Sequence, residues 1–338
     1  MKHPRWPRHV PTVVLIILAL IAPAALAGAL PPEAEFGTVA YGYVEQLSAM
    51  PRFFANVDDS QAAADAVEEW LEDLGYKPTL QPFVFNVPAS QTRWWLTEDI
   101  RAQKYASKNV VALKPAAGQK WGADVPLVIV GAHYDAVPAG QGADDNASGM
   151  GVLLETAARL VEEDLPYDLA FVAFGAEEAG LVGSDYFVKQ MTRREINRTI
   201  VMINFDSLIA GDFRYIHAGS NGATWARDSM LGIIDELGLD IIVQPGLNKK
   251  YPSGFSPNGF SDYTAFNKAR IPIVAFESTN WSAGDLDGYQ QTVDPPYEFW
   301  HTANDTLATI ETYHPARPRE HLQAYSRLVY EFLANLEP

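Results

Sequence analysis

The chain has 338 residues, of which 48% are hydrophobic and none is cysteine, and its formal net charge is −17. This length and composition suffice for a large core, while the lack of thiols excludes disulfides, cysteine nucleophiles and cysteine-ligated zinc. The negative charge disfavours nucleic acid or an anionic membrane surface as a partner; it serves solubility, or it attracts cationic substrates within about 10 Å.

Residues 1–27 are predicted to form a secretory signal peptide. Three basic residues precede an uncharged apolar stretch from Val10 to Leu30, and Ala25 to Ala27 form a small-x-small cleavage site. An uncleaved membrane anchor is the alternative, because the stretch is about long enough to span a bilayer. Either interpretation places the body of the protein outside the cytoplasm, in the periplasm, secreted or membrane-anchored.

Beyond the leader, hydrophobic periodicity predicts helices and strands that alternate along the chain. The predicted helices are Phe36–Met50, Ser60–Leu74 with Ser60 as N-cap, Ser148–Glu162, Gly183–Met191, Trp225–Leu237, Asp262–Lys268 and Leu322–Leu336. The predicted strands are Thr79–Val87, Asn109–Leu113, Val125–Val130, Asp168–Phe174, Ile200–Phe205, Phe213–His217 and Ile271–Phe276. Such alternation is typical of a mostly parallel sheet covered by helices on both faces, so we predict one α/β domain over residues 36–338.

Candidate metal ligands follow several of these strands. His133 and Asp135 come directly after one strand and, two residues apart in extended chain, leave it on the same face. The other candidates are Asp144 and Asp145 before a helix, Glu177 and Glu178 after the next strand, Asp206 after another, and the late His301. Taken singly each is an ordinary structural residue, but the carboxyl ends of parallel strands converge on one crevice. Two histidines and three carboxylates suit two zinc ions that share one carboxylate.

The spacing of these motifs resembles a known family. His-x-Asp at 133–135, the Asp-Asp pair at 144–145 followed by Gly149, Gly-Ala-Glu-Glu at 175–178, Asn-x-Asp at 204–206 and His-Thr at 301–302 are similar to the dizinc aminopeptidases of the M28 type. The resemblance covers nearly the whole predicted domain. It implies a single-domain zinc-exopeptidase-like fold and two Zn²⁺ per chain.

The resemblance also implies a role for each residue. His133 and Asp206 would hold one zinc, Glu178 and His301 the other, and Asp144 would bridge both. Asp135 would accept the second ring N–H of His133, and the peptide between Asp144 and Asp145 would be cis. Glu177 would be the general base: it would take the proton of a zinc-bridging water and pass it to the leaving amine, so that the N-terminal peptide bond of a peptide or protein is hydrolysed.

The sequence also bears on which N-terminal residue of the substrate is preferred. A periplasmic member of the family acts on N-terminal Arg and is similar to this chain at 204–212, 245–254 and 277–291, and the loop carboxylates Asp262, Asp285 and Asp287 lie in or near these segments. We therefore hypothesise a preference for Arg or Lys. Aromatic residues in the same region suit either pocket walls or core; they are Tyr251, Phe255, Trp281 and Tyr289. Trp300 occupies a position where some relatives have an oxyanion-stabilising Tyr, so no oxyanion donor is predicted.

Two other functions stay open on this fold. A glutaminyl cyclase has a similar pattern but uses one zinc, and a non-catalytic binding protein has usually lost ligands or the base. The presence of all five ligand positions and of Glu177 favours the peptidase. His217, His314 and His321 have no constellation around them in the sequence and are expected to be structural.

Overall fold

The computed structural model describes residues 34–91, 93–257 and 259–338, so the predicted leader at 1–27 lies outside the described part. The helices are α1 (Thr38–Ser48), α2 (Val57–Asp73), α3 (Gly149–Leu160), α4 (Val182–Gln190), α5 (Arg193–Arg198), α6 (Trp225–Leu237), α7 (Tyr263–Lys268), α8 (Leu307–Tyr313) and α9 (Arg317–Ala334). The strands are β1 (Thr79–Asn86), β2 (Lys104–Lys114), β3 (Leu127–His133), β4 (Asp168–Phe174), β5 (Thr199–Phe205), β6 (Phe213–Ala218), β7 (Ile273–Thr279), and the two-residue β8 (Thr292–Val293) and β9 (Pro296–Tyr297).

Seven of the described strands form one sheet in the order β1-β2-β4-β3-β5-β7-β6. The four central strands β4, β3, β5 and β7 are mutually parallel, whereas β1 and β2 on one side and β6 on the other pair antiparallel. The predicted α/β fold with a parallel centre is therefore confirmed. The sheet is not parallel at its edges. On one side β1 and β2 are antiparallel neighbours, and on the other side β6 runs antiparallel to β7.

Alternation along β3 explains how the sheet divides the core. Val128 and Val130 pack with α1, α2, α3 and α9 on one face, and Leu127 and Ile129 pack against α4 and α7 on the other. Every residue of β3 is buried, as expected for a parallel strand covered on both faces. The carboxyl-terminal ends of the parallel strands β3, β4 and β5 therefore lie side by side at one edge of the sheet.

One local prediction is wrong, and two short helices were not predicted. Asn56, not Ser60, caps α2, because its side chain accepts a hydrogen bond from the Asp59 amide and the helix begins one turn earlier than predicted. The short helices α5 and α8 were not predicted. For α5 the sequence does carry a signal, since Thr192 and Glu195 form a capping box.

Glu155 on α3 ties the first helix to the core. Its buried carboxylate accepts the amides of Gly37 and Ala40 at the start of α1, at 2.9–3.0 Å, and the Arg159 guanidinium at 2.8–2.9 Å. A carboxylate at a helix N-terminus satisfies N–H groups that have no partner within the helix. No helix among the described residues is both long and apolar enough to cross a membrane.

We expect E155A to lower the free energy of unfolding by about 3–5 kcal/mol, because Arg159 is then left buried without its partner. Urea unfolding followed by circular dichroism measures the change. E162A is the control: Glu162 is exposed just after α3, and surface substitutions usually stay within about 0.5 kcal/mol. Equal stability of the two variants would contradict the role given to Glu155.

Candidate metal centre

His133 is presented by the end of β3 and is 1% exposed. Its Nδ1 lies 3.1 Å from the backbone oxygen of Asp135. A carbonyl oxygen can only accept, so Nδ1 carries a proton and Nε2 is the ring nitrogen available to a metal ion. Nε2 lies 3.2 Å from Asp145 Oδ1 and 3.4 Å from Asp206 Oδ1. These three atoms form the first candidate ligand group.

The second group lies against the other oxygen of Asp145. His301 Nε2 is 3.1 Å from Asp145 Oδ2 and 3.5 Å from Glu178 Oε2. Asp145, Glu178 and His301 therefore converge as a second set of three ligand atoms. Each oxygen of one carboxylate faces a different histidine, which is the arrangement expected of a carboxylate shared by two cations.

The prediction that Asp144 bridges the two groups is wrong, and Asp145 takes that place. The buried Asp144 carboxylate accepts the amides of Ile209 and Ala210 at 2.7 and 3.0 Å. It also accepts Gln291 Nε2 at 2.7 Å and Trp300 Nε1 at 3.1 Å. Four donors occupy its oxygens, so Asp144 anchors the segments after β5 and before His301 instead. The predicted cis peptide also lies one residue later in the chain: it joins Asp145 to Asn146, not Asp144 to Asp145.

Asp305 and Asn146 hold the irregular turn at Ala143–Ser148 that carries Asp145. The Asp305 carboxylate accepts the amides of Asp144 and Asp145 at 2.7 and 3.1 Å. Asn146 donates to Phe205 O at 2.9 Å, which links the turn to the end of β5. No local pattern distinguishes Asp305, because its partners lie about 160 residues away in the chain.

Asp135 performs a different task from the one predicted. Its Oδ1 lies 3.7 Å from His133 Nδ1, and its two oxygens accept the amides of Glu177 at 3.0 Å and Glu178 at 3.2 Å. Those N–H groups compete for the carboxylate, so the backbone oxygen of Asp135 fixes the His133 tautomer instead. Asp135 thus connects His133 to the glutamate pair and fixes the backbone position of Glu177 and Glu178.

Left-handed backbone conformations concentrate beside the ligands. Ala176, Ser207 and His301 have φ of 57°, 55° and 57°, which is uncommon for residues other than glycine. One precedes Glu177, one follows Asp206 and the third is itself a candidate ligand. Such conformations cluster at functional sites, where the surrounding structure holds them in place.

The donor set fits divalent cations. Both oxygens of Glu178 are buried and have no hydrogen-bond partner among the described residues, and an unpaired buried carboxylate is costly. Burial lowers the pKa of His301, yet Glu178 and Asp145 outweigh it and raise that pKa to about 11. The cluster therefore favours added positive charge, and imidazole and carboxylate donors suit zinc.

Glu177 lies beside the two ligand groups without belonging to either. It is 6% exposed, and it lines a cavity of about 600 Å³ together with His133, Asp145, Glu178 and Asp206. Burial and the neighbouring carboxylates raise the pKa of Glu177 well above its usual value. A carboxylate with raised basicity that faces a cavity is suited to accept a proton.

A segment between β1 and β2 covers the second ligand group and was not predicted to do so. Trp95 Nε1 donates to Glu178 O at 3.1 Å, and its ring centroid lies 4.2 Å from that of His301. Arg93 donates to the same carbonyl at 3.3 Å. Aromatic residues in a loop carry no sequence signal for this contact, because it depends on how the loop folds back over the sheet edge.

One of the four aromatic residues proposed as pocket walls lines the cavity. It is Tyr289, whereas Tyr251, Phe255 and the buried Trp281 do not line it. Of the loop carboxylates, Asp262 is fully buried, and neither Asp285 nor Asp287 belongs to the cavity lining. His217, expected to be purely structural, lines the cavity.

Comparison with known proteins gives consistent results. Residues 109–325 match peptidase family M28. The alkaline phosphatase isozyme conversion protein of Escherichia coli is 32% identical over 69% of this chain and 70% of its own length. Aminopeptidase YwaD of Bacillus subtilis is 30% identical over 60% of this chain, which spans only 40% of that relative.

Two solved structures show the same fold. A zinc aminopeptidase from Bacillus subtilis matches with a TM-score of 0.67 at 18% identity, over 88% of this chain and 95% of that chain. Fimbriiglobus ruber glutaminyl cyclase matches with a TM-score of 0.66 at 18% identity, over 91% and 97% of the two chains. At this identity the likeness concerns the fold alone.

Proposed function

This chain belongs to peptidase family M28, and from that premise we propose that it is an exported zinc-dependent aminopeptidase acting on the N-termini of peptides and proteins. One observation carries the proposal. The two oxygens of Asp145 face His133 and His301 at 3.2 and 3.1 Å, with Asp206 and Glu178 completing the two ligand groups. Glu177 lies beside these groups and lines the same cavity.

We assign one zinc to His133, Asp145 and Asp206, and a second to Asp145, Glu178 and His301. Two bound zinc ions would lower the pKa of a water, polarise the scissile carbonyl and offset the raised pKa of Glu177. The contact of His133 Nδ1 with the Asp135 carbonyl supports this assignment, because it leaves Nε2, 3.2 Å from the shared Asp145, as the nitrogen that would bind the metal.

Glu177 is the proposed general base. Its amide is held by Asp135 at 3.0 Å, so its backbone position is set by the same residue that orients His133. In hydrolysis it would accept a proton from the attacking water and return it to the amine of the leaving peptide. Asp135 touches neither and acts as a positioning residue.

The finer parts of the proposal concern substrate and location. The cavity of about 600 Å³ has the size of a small-ligand pocket, and its acidic lining supports binding of a free α-ammonium group and of a basic first residue, Arg or Lys. We propose that residues 1–27 direct export, that 36–338 form the catalytic domain, and that the protein acts in the periplasm or outside the cell. Neither nucleic acid nor a membrane surface is proposed as a partner.

We expect about two zinc ions per chain in the purified protein, measured by plasma mass spectrometry, and release of p-nitroaniline from unblocked but not N-acetylated aminoacyl-p-nitroanilides. Chelation should abolish hydrolysis and lower the melting temperature, because metals that bind the native state stabilise it; zinc should restore both. H301A should bind about one zinc. The matched control is H314A, since His314 belongs to neither ligand group and should leave the zinc content at two.

The glutaminyl cyclase alternative rests on the equally good fold match. The same protein sample, incubated with a peptide that begins with Gln, distinguishes the two functions by mass spectrometry. Loss of 17 Da as ammonia, with about one zinc per chain and no release of first residues, would replace the proposed function. Five ligand residues in two groups favour hydrolysis instead.

A further inference from the structure

A second polar group borders the cavity and belongs to neither group of candidate metal ligands. Glu277 on β7 pairs with Tyr215 on β6, and His217 pairs with Ala275 two residues on. Glu277 and His217 are therefore diagonal neighbours on one face of an antiparallel pair. His217 Nε2 lies 2.8 Å from Glu277 Oε1, and both residues line the cavity.

One oxygen of Glu277 is held by a hydrogen bond. The buried Trp281 indole donates to Oε1 at 2.5 Å. The His217 ring lies against the same oxygen, with Nε2 at 2.8 Å, but neither of its ring nitrogens makes a hydrogen bond to a described residue. Trp281 therefore fixes Oε1, and His217 packs beside it.

The second oxygen of Glu277 accepts no hydrogen bond from the described residues, although the first accepts one from Trp281. The side chain is 17% exposed and borders the cavity. A carboxylate with one oxygen fixed and the other free is pre-organised to accept a hydrogen bond from a ligand. Hydrogen bonds to charged groups are the stronger kind.

The lining of the cavity also includes aromatic side chains. Phe260, Tyr263, Phe276 and Tyr289 contribute to its lining. Aromatic walls accommodate the methylene stem of a long basic side chain and attract its cationic head. An anionic end with aromatic walls therefore suits a Lys ammonium or an Arg guanidinium better than an aliphatic side chain.

Resting on the proposed aminopeptidase function, we propose that Glu277, held by Trp281 and packed against His217, is the residue that selects a basic first residue in the substrate. This role replaces the one hypothesised for Asp262, Asp285 and Asp287, none of which lines the cavity. His217 and Trp281 are positioning residues, because they act on the substrate only through Glu277.

The test is kcat/KM for Arg-, Lys- and Leu-p-nitroanilide with the zinc-loaded wild type, E277Q and D285N. We expect the wild type to prefer Arg and Lys over Leu. E277Q should lower kcat/KM for Arg and Lys by about 10- to 100-fold, since a hydrogen bond between two charges is lost, and should change Leu by less than about threefold. D285N removes an exposed carboxylate from the neighbouring loop and should change none of the three.

A measurement on the wild type alone guards against misfolding of E277Q. Free arginine should inhibit Leu-p-nitroanilide hydrolysis at least about tenfold more strongly than citrulline, which has the same shape without the charge. A wild-type preference for Leu, equal inhibition by arginine and citrulline, or an equal loss with all three substrates in E277Q would overturn the role of Glu277. The last result would mean that Glu277 binds the α-ammonium group. No hydrolysis of any of the three by the zinc-loaded wild type would instead refute the aminopeptidase function itself.

Discussion

Replacement of Glu177 by Gln is expected to lower kcat by a factor of about 10²–10⁴ while the protein keeps its full zinc content. The reason is that a positioned general base typically contributes that factor, and that Glu177 belongs to neither group of candidate ligands. Gln has nearly the same shape, so the Glu177 amide can still donate to Asp135. The side chain then loses the ability to accept a proton.

Steady-state kinetics and metal analysis on the same preparation measure this effect. E162Q, a substitution at an exposed site after α3, is the matched control and should behave like the wild type. Loss of zinc together with activity in E177Q would show that Glu177 is a ligand, contrary to its assigned role. Unchanged kcat with full zinc would exclude Glu177 as the base.

A comparison of D145N with D144N is expected to give the largest difference between neighbouring positions. Asp145 offers one oxygen to each ligand group, so D145N should lose most of both zinc ions and all measurable activity. The Asp144 carboxylate instead accepts four hydrogen bonds. D144N should therefore retain zinc but unfold more easily, by about 1–3 kcal/mol, because Asn cannot satisfy all four donors.

Titration with Co²⁺, followed by its visible absorption, measures the number of sites in both variants and in the wild type. Thermal unfolding of each apoprotein serves as the control for folding: both variants should unfold in one cooperative transition, apo-D145N at a lower temperature than the apo wild type because His133 and His301 lose their carboxylate partner. If D144N loses both sites while D145N keeps them, Asp144 is the bridging residue as the sequence first indicated.

Four of the candidate residues could be placed from the sequence because strand ends are short-range features. A buried apolar run ends where polar residues begin, and the ends of parallel strands must meet at one edge. His133 is the last residue of β3, and Glu177, Glu178 and Asp206 follow β4 and β5. His301 is different: it lies in a loop far along the chain, and its place in the site rested on a resemblance in motif.

The choice between Asp144 and Asp145 shows where this reasoning stops. Two adjacent aspartates have the same chemistry, and which one faces the site depends on the backbone of an irregular turn. Asp305 holds that turn from about 160 residues away, and a contact of that range leaves no local pattern. The partner of His133 is a similar case, because the amides of Glu177 and Glu178 compete for the Asp135 carboxylate.

The sequence alone determined the α/β architecture, the absence of cysteine ligands and the residue types available for a cation site. Hydrophobic periodicity and side-chain chemistry can be identified from short stretches of sequence. Only the tertiary structure decided that Asp145 lies between the two histidines and that Glu277 keeps one oxygen free at the cavity. Both depend on which hydrogen-bond donors from distant segments contact each carboxylate. Those segments lie close together only after the sheet has formed.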